Sequence, residues 1–291
     1  MPPAELRLGT RGSQLAVAQS SLVARAVTRA TGIPVRLVII STRGDRITDR
    51  PLAAIGGKGL FTAELEAALR AREIDFAIHS LKDLPTDDPD GLVLAAIPER
   101  ADPRDVIVGA ALDALPQGAV VGTGSLRRGS QLKAVRPDLE IRGIRGNVDT
   151  RLRKRDEGGY DAVVLAAAGL ERLDIRRADA FPLDPTVMCP AVGQGALAVQ
   201  AAGDRADILA LLDRVNHAPT RRRIDAERTF LAAFGGGCNV AAGCYARIEA
   251  SGLLHVRAFA QHEDGGPLHR AEARGEDAIT LGQQLAAAVR A

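Results

Sequence analysis

Seven consecutive residues, His79-Ser80-Leu81-Lys82-Asp83-Leu84-Pro85, place an imidazole, a hydroxyl, an ammonium and a carboxylate between the strand-like run Asp75–Ile78 and a helix-breaking proline. The end of a strand is where an α/β fold presents its reactive groups. The same composition also suits a solvated turn, so the reading depends on whether other segments supply matching chemistry.

Four others do. The string Arg11-Gly12-Ser13-Gln14-Leu15 recurs as Arg128-Gly129-Ser130-Gln131-Leu132, each time shortly after a strand and a Gly-Thr pair. Both copies are expected to set serine and glycine at a helix start, where unpaired backbone N–H groups and the helix dipole favour an anion. Two such helix starts would receive a polycarboxylate or phosphate ligand. Between Ala119 and Arg155, ten cationic residues stand against three acidic ones, Asp138, Glu140 and Asp149. Arg136, Arg153, Lys154 and Arg155 read as a solvated face. Arg127, Arg128, Arg145 and Arg151 sit instead at glycine-punctuated junctions, Gly-Ser-Leu-Arg-Arg and Arg-Gly-Asn-Val-Asp-Thr-Arg. Guanidinium forks there can grip carboxylates, at about 1.5–3 kcal/mol per charge-assisted hydrogen bond, and several forks imply a ligand with several carboxylates.

The stretch Ile55-Gly56-Gly57-Lys58-Gly59-Leu60-Phe61 fails the spacing of a nucleotide phosphate loop, because Leu52 stands where its first glycine belongs and Gly59 where Ser or Thr must follow the lysine. It reads as a glycine-rich lid with Lys58 at its tip. In Gly235-Gly236-Gly237-Cys238-Asn239, glycine-rich backbone carries a thiol, as a nucleophile or a covalent anchor requires, whereas Cys189 and Cys244 read as inert buried residues. His255, His262 and His269 lack metal-ligand spacing and read as surface or strand positions, so no metal site is expected.

The elements that must position these groups follow a βαβ rhythm: Leu6–Leu8, a helix from Ser13 to Ala30, Val35–Ser41, a helix near Thr62–Arg72 and Asp75–Ile78. The rhythm resumes with Val106–Val108, Ala119–Val121, a helix from Ser125, Glu140–Ile144, a helix from Asp149 and Ala162–Leu165. After Pro219 come a long helix to Phe234, alternating strands over Tyr245–Ala250, Leu254–Ala260 and Leu268–Ala273, and a terminal helix after Asp277. The expected architecture is α/β: one lobe over 1–98 and 197–216, a second over 104–191, and a small α+β domain over 219–291. With 291 residues and 46% hydrophobic content the chain exceeds one ordinary core. A net charge of +2 argues against a bulk nucleic-acid binder. No run spans a bilayer, the charged opening Met1–Arg7 lacks a targeting signal, and three cysteines suit a reducing cytoplasm.

Seven motifs, in order, resemble the porphobilinogen deaminase (hydroxymethylbilane synthase) family: Leu8–Ala16, the Gly56–Phe61 lid, His79–Pro85, Gly122–Arg128, Arg145-Gly146-Asn147, Pro190–Ala196 and the Cys238 loop. The resemblance implies two periplasmic-binding-protein-like lobes with mixed, mostly parallel sheets, and a third domain whose Cys238 carries a dipyrromethane cofactor through a thioether. The implied reaction joins four porphobilinogen molecules head to tail, releasing ammonia, to give hydroxymethylbilane for porphyrin biosynthesis. The resemblance assigns catalysis to Asp83. It gives cofactor binding to Lys82, Thr123, Ser125, Arg127, Arg128, Arg145 and Gly146, and substrate binding to Arg11, Ser13, Lys58, Phe61, Arg151 and Gln194. A cytoplasmic monomer, without nucleic-acid or membrane partners and passing its product to a later tetrapyrrole enzyme, is expected. Ala54, Ala63 and Ala241 depart from the family pattern beside the lid and the cysteine. Two rival readings are a solute-binding protein, which would need no reactive thiol, and an acyl-transfer thiol enzyme using His79 as base.

Overall fold

The computed structural model describes residues 3–46, 62–235, 241–261 and 266–290. The chain divides into two compact units, Met1–Ala101 with Ala196–Arg222, and Asp102–Gly195 with Arg223–Ala291. In chain order the elements are β1 (Leu6–Thr10), α1 (Gln14–Thr31), β2 (Val35–Ile39), α2 (Ala63–Arg70), β3 (Phe76–Ser80) and β4 (Leu92–Ala96), then β5 (Asp105–Val108), β6 (Val120–Gly122), α3 (Leu126–Val135), β7 (Glu140–Arg142), α4 (Val148–Lys154), β8 (Ala162–Ala166), α5 (Ala167–Arg172) and β9 (Ala180–Pro182). The chain continues through β10 (Leu197–Ala202), α6 (Ala206–Leu212), α7 (Ala218–Phe234), β11 (Ala241–Ile248), β12 (Leu254–Gln261), β13 (Leu268–Gly275) and α8 (Ala278–Ala288).

The first sheet has the order β2-β1-β3-β10-β4 and the second β7-β6-β8-β5-β9. In each, one strand runs against its neighbours: β10 pairs antiparallel with β3 and β4, and β5 with β8 and β9. The other pairings are parallel. The two sheets therefore share one plan, and in each the reversed strand is the first one formed after the chain passes from one unit into the other.

Helices cover both faces of each sheet, which is why the strands are apolar on both sides. In the first unit Leu6, Leu8, Phe76, Ile78 and Val199 pack against Val23 and Val27 of α1 and Ile208 and Leu212 of α6. The opposite face, with Ala77, Leu92 and Ala202, packs against Leu65 and Leu69 of α2. The start of α1 is set by Ser13, whose Oγ accepts from the Ala16 N–H at 3.3 Å. All six residues of β10 are buried, and each fully buried Leu or Val side chain contributes about 1.5–3 kcal/mol. In the second unit Val121, Leu132, Ala162 and Val164 pack on one face, and Val106, Leu152, Val163 and Leu170 on the other.

The third sheet, β11-β12-β13, is an antiparallel meander within the second unit. One face packs on α7 and α8 through Phe230, Phe234, Val256, Leu281 and Leu285. The other face meets α3 and the segment before β10. Gly243 lies so close to that segment that a Cβ would stand 2.7 Å from the Pro190 carbonyl oxygen and 2.8 Å from the Phe259 ring. A side chain at 243 would push Cys189 and Pro190 off the sheet.

Two expectations change. His79 lies inside β3, not in the turn after it, because β3 extends to Ser80 alongside β10. Ser130 does not start a helix: the Arg128–Leu132 string lies inside α3, whose N-cap is Ser125. The structural counterpart of Ser13 is therefore Ser125, three residues past the end of its strand just as Ser13 is.

Candidate functional site

Site residues gather at the carboxyl ends of parallel strands in each unit. In the first unit β1 and β3 are parallel neighbours, with Leu8 opposite Phe76, so the turn carrying Arg11 and Ser13 and the turn carrying Lys82 and Asp83 leave the sheet side by side. Gln19 of α1 ties them together, its Nε2 donating to Ser80 Oγ at 3.1 Å. Leu81–Asp83 form a single 3₁₀ turn closed by the Leu84 N–H on the Leu81 carbonyl at 3.1 Å. Buried Leu81 and Leu84 pin this turn and leave Lys82 and Asp83 exposed. No described residue pairs with the Asp83 carboxylate. Lys58 and Phe61 lie outside the described residues.

Behind this turn, His79 is buried with Nε2 3.1 Å from Gln200 Oε1 of β10. Burial, offset in part by that hydrogen bond and reinforced by the Arg11 charge, lowers its pKa from 6.5 to about 4. His79 is therefore neutral at physiological pH, and its described hydrogen-bond partner is Gln200, so nothing here equips it as the base of a thiol enzyme. The unfolded chain protonates His79 before the folded one does. Its effect on stability is absent above pH 6.5 and grows as the pH falls from 6.5 to 4, to about 3 kcal/mol of destabilisation in all. Urea midpoints of the wild type should fall more steeply across that window than those of His79→Gln; parallel pH profiles would refute the assignment.

In the second unit Thr123 and Ser125 follow β6, Arg127 and Arg128 open α3, and Arg145, Gly146 and Arg151 occupy the β7–α4 turn and helix. The Ser125 hydroxyl does not cap its own helix. Arg151 Nε donates to the Gly146 carbonyl at 2.8 Å, and Lys154 Nζ to the Arg145 carbonyl at 3.1 Å. The guanidinium of half-buried Arg145 makes no hydrogen bond to a described residue. Arg136, by contrast, is engaged with Asp138 and the carbonyls of Leu112, Leu115 and Pro116, and exposed Arg153 faces Glu157 at 3.8 Å.

Arg127 and Arg128 are not the open forks expected. Both are buried against Asp105, which is itself 0% exposed. Arg127 Nη1 donates to Asp105 Oδ2 at 2.6 Å, and Arg128 Nε and Nη2 donate to Oδ1 at 3.0 and 2.7 Å. Gln194 Nε2 donates to the same Oδ1 at 3.0 Å. Burial alone would raise the Asp105 pKa; the two guanidiniums outweigh it and hold the carboxyl well below the usual carboxylate range. One carboxylate against two guanidiniums leaves a single positive charge in the cluster. Asp105 was not singled out from the sequence. Its signal is an acidic residue opening the apolar run Val106–Val108, since a carboxylate in a buried strand needs a cationic partner.

Guanidiniums and hydroxyls at the strand ends of α/β units are the donors of a protein that binds several carboxylates at once. A family model described as "Porphobilinogen deaminase, dipyromethane cofactor binding domain" matches residues 6–210, and one described as "Porphobilinogen deaminase, C-terminal domain" matches residues 222–291. The chain is 47% identical over 287 residues to the porphobilinogen deaminase of Brevibacillus brevis, covering 97% of this chain and 93% of the relative. It is 50% identical over 287 residues to that of Roseiflexus sp. strain RS-1, covering 97% and 94%. Among solved structures, the periplasmic VFT2 domain of Bordetella pertussis BvgS is similar at 15% identity and a TM-score of 0.43, over 73% of this chain and 86% of that one. The chain belongs to the porphobilinogen deaminase family. It is a transferase of porphyrin biosynthesis that joins four porphobilinogen molecules to give hydroxymethylbilane, with a dipyrromethane cofactor. No helix among the described residues is long and apolar enough to cross a membrane.

Proposed function

We propose that Asp83 runs the condensation, that Cys238 anchors the cofactor, and that the donors of both units hold the acetate and propionate groups of cofactor and substrate. The dipyrromethane supplies the terminal pyrrole to which the first substrate is joined. Its carboxylates fit the donor set of the second unit: the Ser125 hydroxyl, the Arg145 guanidinium and the surplus charge of the Arg127–Arg128–Asp105 cluster, with Thr123, Gly146 and Lys82 completing the cofactor set. Arg11, Ser13, Arg151, Gln194 and, outside the described residues, Lys58 and Phe61 are assigned to substrate. Because Asp105 occupies the Nε/Nη2 edge of Arg128, any ligand contact by Arg128 uses its remaining N–H groups.

Asp83 sits on an anchored turn with its carboxylate in solvent. There it can hold pyrrole N–H groups and stabilise the cation left when ammonia departs from the substrate's aminomethyl carbon. It can also hold or pass the proton this step requires. The burial of both other cysteines supports Cys238 as the anchor. Cys244 is 0% exposed, and burial pushes the Cys189 thiol up to about 12, keeping it protonated and unreactive. We keep the division into two lobes and a C-terminal domain, and take the protein to act as a cytoplasmic monomer that passes its product to a later tetrapyrrole enzyme.

The observation that carries this reading is the half-buried Arg145 guanidinium, which no described residue engages. Produced without porphobilinogen and then incubated with it, Arg145→Gln should acquire the pyrrole adduct about 10- to 100-fold more slowly than wild type, the value of one charge-assisted contact, whereas Arg153→Gln should load at the wild-type rate. Equal loading rates in the two variants would remove Arg145 from the cofactor-binding set.

A further inference from the structure

We propose that Asp105 is a positioning residue for the reaction, a single buried carboxylate that fixes the directions of Arg127 and Arg128 and ties both to Gln194. This rests on the reading above, in which the two arginines serve cofactor carboxylates.

Asp105 opens β5, directly after the junction Asp102-Pro103-Arg104. Its two oxygens accept four hydrogen bonds from three side chains, those of Arg127, Arg128 and Gln194. Backbone carbonyls complete the cage. Cys189 O accepts from Arg127 Nη1 at 2.7 Å, Val164 O from Arg128 Nη1 at 2.9 Å, and Pro103 O from Gln194 Nε2 at 2.8 Å. The cage thus joins β5, α3, β8 and the segment before β10.

An exposed arginine samples many rotamers and must be ordered by its ligand, whereas a clamped guanidinium has its direction set beforehand. The stoichiometry separates this carboxylate from an ordinary ion-pair partner. One negative charge orients two positive ones without cancelling them, so the cluster stays cationic. Asp105 also engages Arg127 only through Nη1; the Nε and Nη2 groups of Arg127 make no hydrogen bond to a described residue. The clamp therefore leaves one fork edge of the pair for a carboxylate.

Asp105→Asn alone would bury two guanidiniums without a counter-charge and could unfold the unit. The test therefore compares Arg128→Met with Asp105→Asn/Arg128→Met, which retains one guanidinium and the wild-type net charge of the cluster. Arg127→Gln runs beside them. Full chains produced without porphobilinogen are checked by circular dichroism and thermal melting, then incubated with porphobilinogen. Intact mass follows the rate at which the pyrrole adduct forms, and KM and kcat are measured afterwards. The double variant should acquire the adduct about tenfold more slowly than Arg128→Met and show a KM about tenfold higher, with kcat changed less than about threefold, because ground-state binding is what is lost. Equal loading and KM in these two variants would overturn the positioning role even if the double variant melts lower, since a purely structural carboxylate would move only the melting temperature. Should the double variant not fold, Asp105→Glu shifts the carboxylate by one methylene at constant charge, and normal loading there overturns the role as well. Normal loading and KM in Arg127→Gln would instead overturn the reading on which the proposal rests.

Discussion

Asp83→Ala should lose turnover by about 10²- to 10⁴-fold, the range for removing a charge-stabilising or proton-transferring group, while retaining its pyrrole adduct by mass. The split follows from where Asp83 sits. Leu81 and Leu84, both buried, hold the backbone of the 3₁₀ turn, so truncating the exposed side chain between them removes a carboxylate without disturbing the strand end. The groups assigned to the cofactor in the second unit, Ser125, Arg145 and the Asp105 cluster, remain in the variant. Asp83→Glu keeps the charge but moves it outward by a methylene, and should bind cofactor yet turn over slowly, since orientation of the reacting groups is lost before attraction is. Single-turnover and steady-state rates on adduct-bearing protein check both variants. Near-normal turnover in Asp83→Ala would remove the assignment.

Cys238→Ser should abolish the covalent adduct: denatured wild type should exceed its sequence mass by two linked pyrrole units, and the variant should match the bare sequence. Serine preserves size but is a far weaker nucleophile at neutral pH than a thiol. The other thiols cannot take over, because Cys189 and Cys244 are packed inside the second unit and lack solvent access. Cys238 itself lies outside the described residues, and the residues on either side are described. Gly235 closes α7 at φ +74°, a left-handed conformation that favours glycine, and Ala241 begins β11 already buried. An adduct that persists in Cys238→Ser would place the anchor elsewhere. If wild-type protein incubated with porphobilinogen also gained no mass, the priming scheme itself would fail.

Much of this was legible in the chain because local chemistry and final position agree. The helix expected from Ser13 to Ala30 is α1, Gln14–Thr31 with Ser13 as its cap, and short apolar runs such as Leu6–Leu8 and Val106–Val108 mark strands. The failures have two causes, the spacing of a helix start from its strand and contacts distant in sequence. The Arg128–Leu132 string resembled the Arg11–Leu15 string closely enough to suggest a second helix start, yet capping depends on distance from the strand end, and that made Ser125 the counterpart. Arg127 and Arg128, on α3, looked like open forks because their partner, Asp105, lies 22 and 23 residues earlier on β5. His79 looked like part of a reactive turn because the strand that pairs with it, with Ala198 opposite His79 and Leu197 opposite Ser80, lies more than a hundred residues later. β10 itself went unread: Leu197–Ala202 is a short alanine-rich run with no alternation, the pattern of a strand buried on both faces.

That strand also bears on the order in which the protein can be built. β3 and β4 are not neighbours; β10 separates them and bonds to both. While the ribosome has delivered only the first hundred or so residues, the first sheet lacks an internal member and exposes two unpaired edges, the condition that invites mispairing with other chains. The second sheet draws all its strands from the unbroken stretch β5–β9 and can close sooner. The first sheet is therefore begun before the second but closed after it, once Leu197–Ala202 has been made.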